Sequence, residues 1–522
     1  MADLEELVAA FGAPSRQVGA RVVIDFTGQF ENRSAVFSSE QKSAVSRMDE
    51  LKDGSGGMSC KYALLDGWWT LGSGFALAHD TWGHIGFISA VCSGPDGRFA
   101  LPVTITVSFE TAQTLSCITV IGDDMRGEYP VDFTLRFYGG QTLIKSRSVT
   151  GNSQARALLG ELDVAGCTRV QLDMTRWSRA NTPAKIAGVA FSPIAVFDEN
   201  IIRLKTVESD GAGGGLITGS VASRSLEMAA ADNSGRMSVL SNGELSRYIL
   251  PNRRVRLYWG AKTGGVMTYT PAGVFYTDGW EIDETGPVVR LSAMDILSLL
   301  DDIPFEDHMT YPCPLSELAE SVFAQANMNI TLSMHPFLSG VSLIYPPEWG
   351  SVSLRRVLSY IAEAAFFRVK TLPDGSVFMG PIDDYAESGV SITPDNAFFM
   401  RITEDRRGIV NHVRIYAADG QLYEQSDRES ISENGSFPLT IRGNPVIEDY
   451  NWAAWLGERI IARCRGGGKT ADAVFRGDPR VGAGCRVSLC GRSGAAHTLA
   501  VISQTVDYDG SIKAAVKGRL MD

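Results

Sequence analysis

The sequence is poor in several things that would announce a chemistry. Its eight cysteines, at 60, 92, 117, 167, 313, 464, 485 and 490, include no CxxC pair and no histidine at zinc-finger spacing. That excludes the common zinc modules and leaves buried free thiols of a protein made in a reducing cytoplasm. No apolar run approaches the ~18 residues that span a bilayer, so no membrane span is expected. The acidic start, Met1-Ala-Asp-Leu-Glu-Glu-Leu7, lacks the basic region of a secretory leader. Basic side chains are outnumbered, 48 against 60 acidic ones, for a formal charge of −12. An extended nucleic-acid face needs the opposite balance, so no specific nucleic-acid binding is expected. The densest basic cluster, Arg253, Arg254 and Arg256, alternates with Val255 and Leu257, as the wet face of a strand does.

Catalytic constellations are missing too. Gly466-Gly-Gly-Lys469-Thr470 has Arg463 where a phosphate loop needs glycine, and it follows a helical stretch, so a helix end is the better reading. Gly211-Ala-Gly-Gly-Gly215 is broken by Leu216 and reads as a loop between strands. Gly491-Arg-Ser493-Gly-Ala495 is one residue short of a nucleophile elbow. His79 and His84 are five apart, off the helical ligand spacing, and read as solvent-facing loop residues. The pairs Asp123-Asp124, Asp301-Asp302 and Asp383-Asp384 sit beside turn residues, where capping suffices. The expectation is a binding or assembly protein, not an enzyme.

What is present is glycine (54 residues), 44% hydrophobic and 21% charged residues, and period-2 alternation. Over 522 residues this predicts three or four domains, mainly β with α+β parts. Residues 1–57 hold a short amphipathic helix, a strand Arg21-Val-Val-Ile-Asp-Phe26 and a linker. Residues 58–193 repeat strands such as Val103-Thr-Ile-Thr-Val-Ser-Phe109, Val131–Tyr138 and Arg169–Met174, as in a sandwich. Residues 194–302 give more strands, at 201–207, 219–229, 255–258 and 288–291, then a helix over 293–300. Residues 303–389 change period. Leu315, Leu318, Ala319, Val322 and Phe323 form one helical face, and Leu354, Val357, Leu358, Ile361, Ala362 and Ala365 another. Ser353 is the N-cap of the second, and a hairpin then turns at Pro373-Asp-Gly375. Residues 390–522 return to strands around a helix over 449–464.

Two resemblances follow. Tyr62-Ala-Leu-Leu-Asp-Gly-Trp-Trp69, Ile118-Thr-Val-Ile-Gly-Asp123, Glu128–Thr134, Trp177-Ser178 and Ile186–Phe191 make residues 58–193 similar to a discoidin-like, galactose-binding jelly-roll module. The resemblance implies glycan binding at loops on one end of a β-sandwich, where aromatic faces stack on sugar rings. The candidate site is Trp68, Trp69, His79, Trp82, Arg126 and Tyr129, with Asp66 where related modules hold a structural calcium. No other cofactor is implied.

Most of the remainder resembles the hub of phage tail tips and baseplates, the late control protein D-like family. It does so through an ordered series: Gly219–Leu226, Asp232-Asn-Ser-Gly-Arg236, Leu250–Arg256, Gly273–Trp280, Ser292–Leu297, Ser353–Glu363, Gly408–Val413 and Arg476-Gly-Asp-Pro-Arg-Val-Gly-Ala-Gly484. The resemblance implies two β-barrel-like domains with helical insertions, a homotrimer closing the tail tube, partners among tail-tube and baseplate proteins, and a place in the virion after synthesis in the host cytoplasm. The sandwich is read as an insertion after the first hub strand. No peptidase or lysozyme region follows Lys513-Ala-Ala-Val516, so a wall-degrading role is not expected. Alternatives remain: a module that only docks a neighbouring tail protein, a glycan hydrolase with a sugar-binding module, and a contractile injection particle instead of a phage. Arg476-Gly-Asp478 matches an adhesion tripeptide, but the following Pro479 and the strand beyond it predict a turn.

Overall fold

The computed structural model describes residues 2–28, 35–52, 84–115, 117–123, 126–160, 162, 164–191, 194–210, 218–241, 243, 245–326, 330–405, 409–464, 468–491 and 494–521. The chain is mainly β and divides into two compact units. One comprises residues 1–5, 23–196 and 247–254, the other residues 6–22, 197–246 and 255–522.

The first unit is a two-layer sandwich. Its larger sheet runs Ala35–Ser38, Arg98–Leu115, Val164–Trp177, Pro130–Gly139, Thr142–Val149. The second layer is built from Gly188–Ala190, Ile118–Ile121 and Arg156–Leu159, with Pro183–Ile186 paired to Phe87–Cys92. Alternation decides which face is covered. Val103, Ile105, Val107 and Phe109 are buried, while Thr104 and Thr106 are half-buried and Ser108 is exposed. These side chains meet Leu135, Phe137, Leu172 and Met174 of the same sheet and Ile118, Val120 and Val189 of the other layer in one apolar core.

The second unit is organised by one long, mostly antiparallel sheet. Its order is Val266–Asp283, Val288–Met294, Ser223–Ala231, Ile201–Ser209, Ala496–Tyr508, Ile512–Leu520, Gly468–Phe475, Ala397–Asp405. Cys485–Cys490 branches from Ala496–Tyr508 and pairs in parallel with Ala386–Ile392. The pairing of Leu204 with Tyr508 joins strands nearly at opposite ends of this unit's sequence.

The helices Leu315–Gln325, Leu354–Ala365 and Tyr450–Cys464 share a separate core with the hairpin Phe367–Thr371/Val377–Pro381. Helix 354–365 starts where expected, the Ser353 hydroxyl accepting from the Arg356 amide at 3.2 Å. It buries the predicted stripe of Leu354, Val357, Leu358, Ile361, Ala362 and Ala365.

Three expectations change. The helix over 293–300 shrinks to Ile296–Leu299, because Met294 still pairs with Tyr276 and Ser225, and Asp295 then caps the turn through the Ser298 amide. Ser220–Val221 leaves its neighbours at 223–229 and pairs in parallel with Arg368 and Val369. Arg256 is not on a wet face: it is 8% exposed, between the buried Val255 and Leu257.

Candidate functional site

The turn at Arg476-Gly-Asp478 is built by its own chemistry. Gly477 has φ +76°, and a Cβ there would sit 2.7 Å from the Ile512 side chain. Asp478 is 8% exposed. Its carboxylate accepts from Arg480 Nε at 2.9 Å, Arg480 Nη2 at 2.7 Å and the Arg480 amide at 3.0 Å. The Val481 amide closes the turn on the Asp478 carbonyl at 3.1 Å. A receptor could not reach a carboxylate so engaged, and the turn reading stands on this geometry.

Of the candidate glycan residues, Trp68, Trp69, His79, Trp82 and Asp66 lie outside the described residues. Arg126 and Tyr129 are described, on the connection between Ile118–Ile121 and Pro130–Gly139. Arg126 donates to Asp123 at 2.7 Å. Tyr129 is half-buried, its amide donating to Ser178 Oγ at 2.9 Å.

Behind them is a buried charge network that sequence reasoning missed. Asp123, Glu128 and Lys185 are each at most 2% exposed. Lys185 Nζ lies 2.8 Å from Glu128 Oε2 and 4.0 Å from Asp123 Oδ2. Glu128 also accepts from Trp177 Nε1 at 3.3 Å and Arg179 at 3.1 Å. Burial pushes the Asp123 carboxyl up, with Arg126 and Lys185 opposing. Burial acts on Glu128 in the same sense, but Lys185, Trp177 and Arg179 outweigh it and hold that carboxyl below its ordinary value. The signal was present: Lys185 stands between Ala184 and Ile186 in a strand of four buried residues, Pro183–Ile186, where a lone lysine needs a partner. Asp123 does open a turn, its carbonyl accepting from the Arg126 and Glu128 amides at 3.3 and 2.9 Å, but its side chain is fully buried.

His84 is not solvent-facing. Its side chain is 16% exposed, contacts the Ala187 carbonyl and lies 3.8 Å from Glu50. Among the described residues, no three His, Cys, Asp or Glu side chains converge in a metal-holding group. Nor, among the described residues, is any helix long and apolar enough to cross a membrane. The glycine stretches at 211–215 and 466–467, and Ser493, lie outside the described residues.

No family profile and no curated protein matches the chain. Solved structures that resemble it include phage tail proteins. The prophage MuSo2 43 kDa tail protein from Shewanella oneidensis is 15% identical, with a TM-score of 0.42, over 62% of this chain and 95% of that one. A tail protein from Neisseria meningitidis MC58 is 12% identical, with a TM-score of 0.43, over 61% and 92%. Prophage tail protein gp18 from Listeria monocytogenes EGD-e is 10% identical, with a TM-score of 0.42, over 63% and 91%. All three scores lie below 0.5, where an overlay fixes neither fold nor function.

Proposed function

We propose that the chain is a structural subunit of a phage-type tail tip or baseplate, a hub that assembles as a homotrimer, closes the tail tube and carries a sugar-binding module. The observation supporting this most is where the hub-like motifs fall. Gly219–Leu226, Gly273–Trp280, Ser292–Leu297 and Arg476–Gly484 lie on the strands and turns of the long sheet or directly beside it. Ser353–Glu363 forms the helix whose Ala362 carbonyl faces Gly219. A rigid sheet with a helical buttress suits assembly and load-bearing rather than turnover. The net charge of −12 suits a conduit that must not retain passing DNA. The partners are neighbouring tail-tube and baseplate proteins, and the site of action is the virion.

Sedimentation of the purified chain and imaging of particles test this. A trimer in solution and three-fold density at the tube end are expected; a chain that stays monomeric and is absent from particles refutes the hub.

The module's ligand is a host-surface glycan, held weakly by each copy and strengthened by three copies on one ring. Glycan-array binding by the full chain, lost on Trp68→Ala or Trp69→Ala, tests this. One observation favours the rival reading of a purely structural docking module: Arg126 is already committed to Asp123. Retained partner affinity without glycan binding would select that reading.

A further inference from the structure

In the second unit, the strand Ile201–Ser209, the hairpin at Lys370 and the turn after Asp478 enclose a cavity of about 200 Å³. Its charged and amide lining consists of Glu208, Arg224, Lys370, Asp478, Arg480 and Gln504. Three cations therefore face two carboxylates. Arg480 is closed on Asp478 through two bonds, at 2.9 and 2.7 Å. Arg224 lies 3.6 Å from Glu208 and donates to the Ala272 carbonyl at 2.8 Å. Glu208 also accepts from the Ala483 amide at 3.2 Å. The excess positive charge rests on Lys370, whose hydrogen bond goes to a neutral acceptor, the Ala483 carbonyl, at 3.1 Å.

A second observation is independent of this charge count. Gln504 is 6% exposed, lines the same cavity, and its amide nitrogen has no hydrogen-bond partner. A buried donor left unpaired costs about 1–3 kcal/mol, so an acceptor is needed beside it. The chain also makes room for the cations: a Cβ on Gly484 would sit 2.4 Å from Arg368 Nη1 and 2.7 Å from Lys370 Nζ. The adjacent Arg368–Asp210 ion pair, at 2.7 Å, is neutral in sum and leaves the excess unchanged. Burial depresses the Lys370 ammonium, with Glu208 and Asp210 opposing.

We propose that this cavity binds a small oxyanion, of the size of phosphate, sulfate or acetate, through Lys370 Nζ and Gln504 Nε2 with Arg224 alongside. The bound anion ties the hairpin to the strands Ala496–Tyr508 and Ser223–Ala231 and so stiffens the joint between the helical part and the sheet. This goes beyond the hub reading and does not depend on it.

The test titrates the full chain with inorganic phosphate and, separately, acetate, at ionic strength fixed with chloride. Binding is read by calorimetry and stability by urea unfolding. Saturable binding of one anion per chain is expected. At a hundred times Kd the folded-to-unfolded ratio of this unit rises about 100-fold. Phosphate also stabilises proteins without a site, by exclusion from their surface, but that rise is shallow and does not saturate. Lys370→Met and Gln504→Leu are each expected to lose the saturable part and keep the shallow one. Arg203→Met, at a side chain 68% exposed elsewhere on the sheet, keeps both. Gln504→Leu replaces a neutral amide by an apolar group of similar size and serves where Lys370→Met fails to fold. A response to phosphate alone assigns a tetrahedral oxyanion, and one to acetate alone a carboxylate. No saturable heat with either anion, or saturation that survives Gln504→Leu, overturns the proposal.

Discussion

Gly219→Ala is the substitution whose cost the structure defines most sharply. A Cβ there would stand 1.7 Å from the Ala362 carbonyl oxygen, 2.2 Å from its carbon and 2.7 Å from the Glu363 nitrogen. All three are backbone atoms near the end of a packed helix, so no rotamer change relieves the clash. The strand must move off the helix by more than an ångström. That motion breaks what the approach secures: the pairing of Ser220 and Val221 with Arg368 and Val369, and the Arg355 bonds to the Val221 and Ala222 carbonyls, both at 3.1 Å. At about 1 kcal/mol per neutral hydrogen bond and about 1.5–3 kcal/mol for those to a charged group, the loss is at least about 3 kcal/mol. Overpacking alone gives about 1–3 kcal/mol. Gly340→Ala is the control, because no atom lies within 4 Å of its Cβ and its φ is ordinary. The assay is urea unfolding followed by native-state hydrogen exchange at the Ala222 amide, which donates to the Val369 carbonyl at 2.8 Å. Gly219→Ala should lower the midpoint markedly and speed exchange at Ala222, and Gly340→Ala should do neither. Equal costs for the two variants refute the close-approach argument.

Three further predictions concern buried charge and the turn. Lys185→Met strands Glu128 and Asp123 in the sandwich interior and should destabilise that unit by about 3–5 kcal/mol; denaturant unfolding followed by Trp177 fluorescence checks it. Burial lifts Asp210 from 3.8 to about 6, against Arg368 and Lys370. The folded state then binds that proton more tightly, so this group's contribution is full below about pH 4 and is lost as pH rises through about 6. At about 1.36 kcal/mol per pKa unit it amounts to about 3 kcal/mol, and Asp210→Asn should flatten the stability–pH curve in that window. Asp478→Ala removes an ion-paired turn acceptor and should cost about 1.5–3 kcal/mol without altering adhesion of receptor-bearing cells; adhesion competed by a short Arg-Gly-Asp peptide would refute the turn assignment.

Local signals in the sequence were strong wherever one short segment determines its own conformation. The Ser353 cap, the apolar stripe of helix 354–365 and the Pro373-Asp-Gly375 turn are set by neighbours a few residues away, and each is found. The extent of the helix at 293–300 was not legible, because Met294 is recruited into a sheet by Tyr276 and Ser225, partners outside any local window. Arg256 misled for a related reason, and the burial of Lys185 and Asp123 was not legible. Charge type predicts exposure only until a partner from another strand arrives, as Glu128 does for Lys185. The candidate glycan residues were chosen by residue type alone, and one of them, Arg126, is occupied by Asp123, only three residues away. A pattern search for ligand-facing side chains does not subtract the internal partners those side chains already have.

The same contacts bear on how a sandwich can sit inside another domain's sequence. The chain leaves the second unit after Val22 and rejoins it at Phe197. On the near side of that break, Arg21 donates to Asp198, on the far side, at 3.3 Å, and its guanidinium lies 4.3 Å from the Tyr269 ring. Exit and return are therefore within a side chain's reach, which is the condition under which an inserted module leaves its host sheet undisturbed. The segment before the break is held as firmly. Arg16 donates to the Phe11 carbonyl at 2.5 Å, to the Gly477 carbonyl at 2.9 Å and to the Arg476 carbonyl, while Arg476 returns a bond to the Pro14 carbonyl at 2.6 Å. The tripeptide Arg476-Gly-Asp478 thus gives its first two backbone oxygens to Arg16, its third to the Val481 amide and its carboxylate to Arg480. Three residues that match an adhesion motif instead fasten residues 11–16 to the last strands of the long sheet, where Arg16 also donates to the Ile512 carbonyl at 3.3 Å.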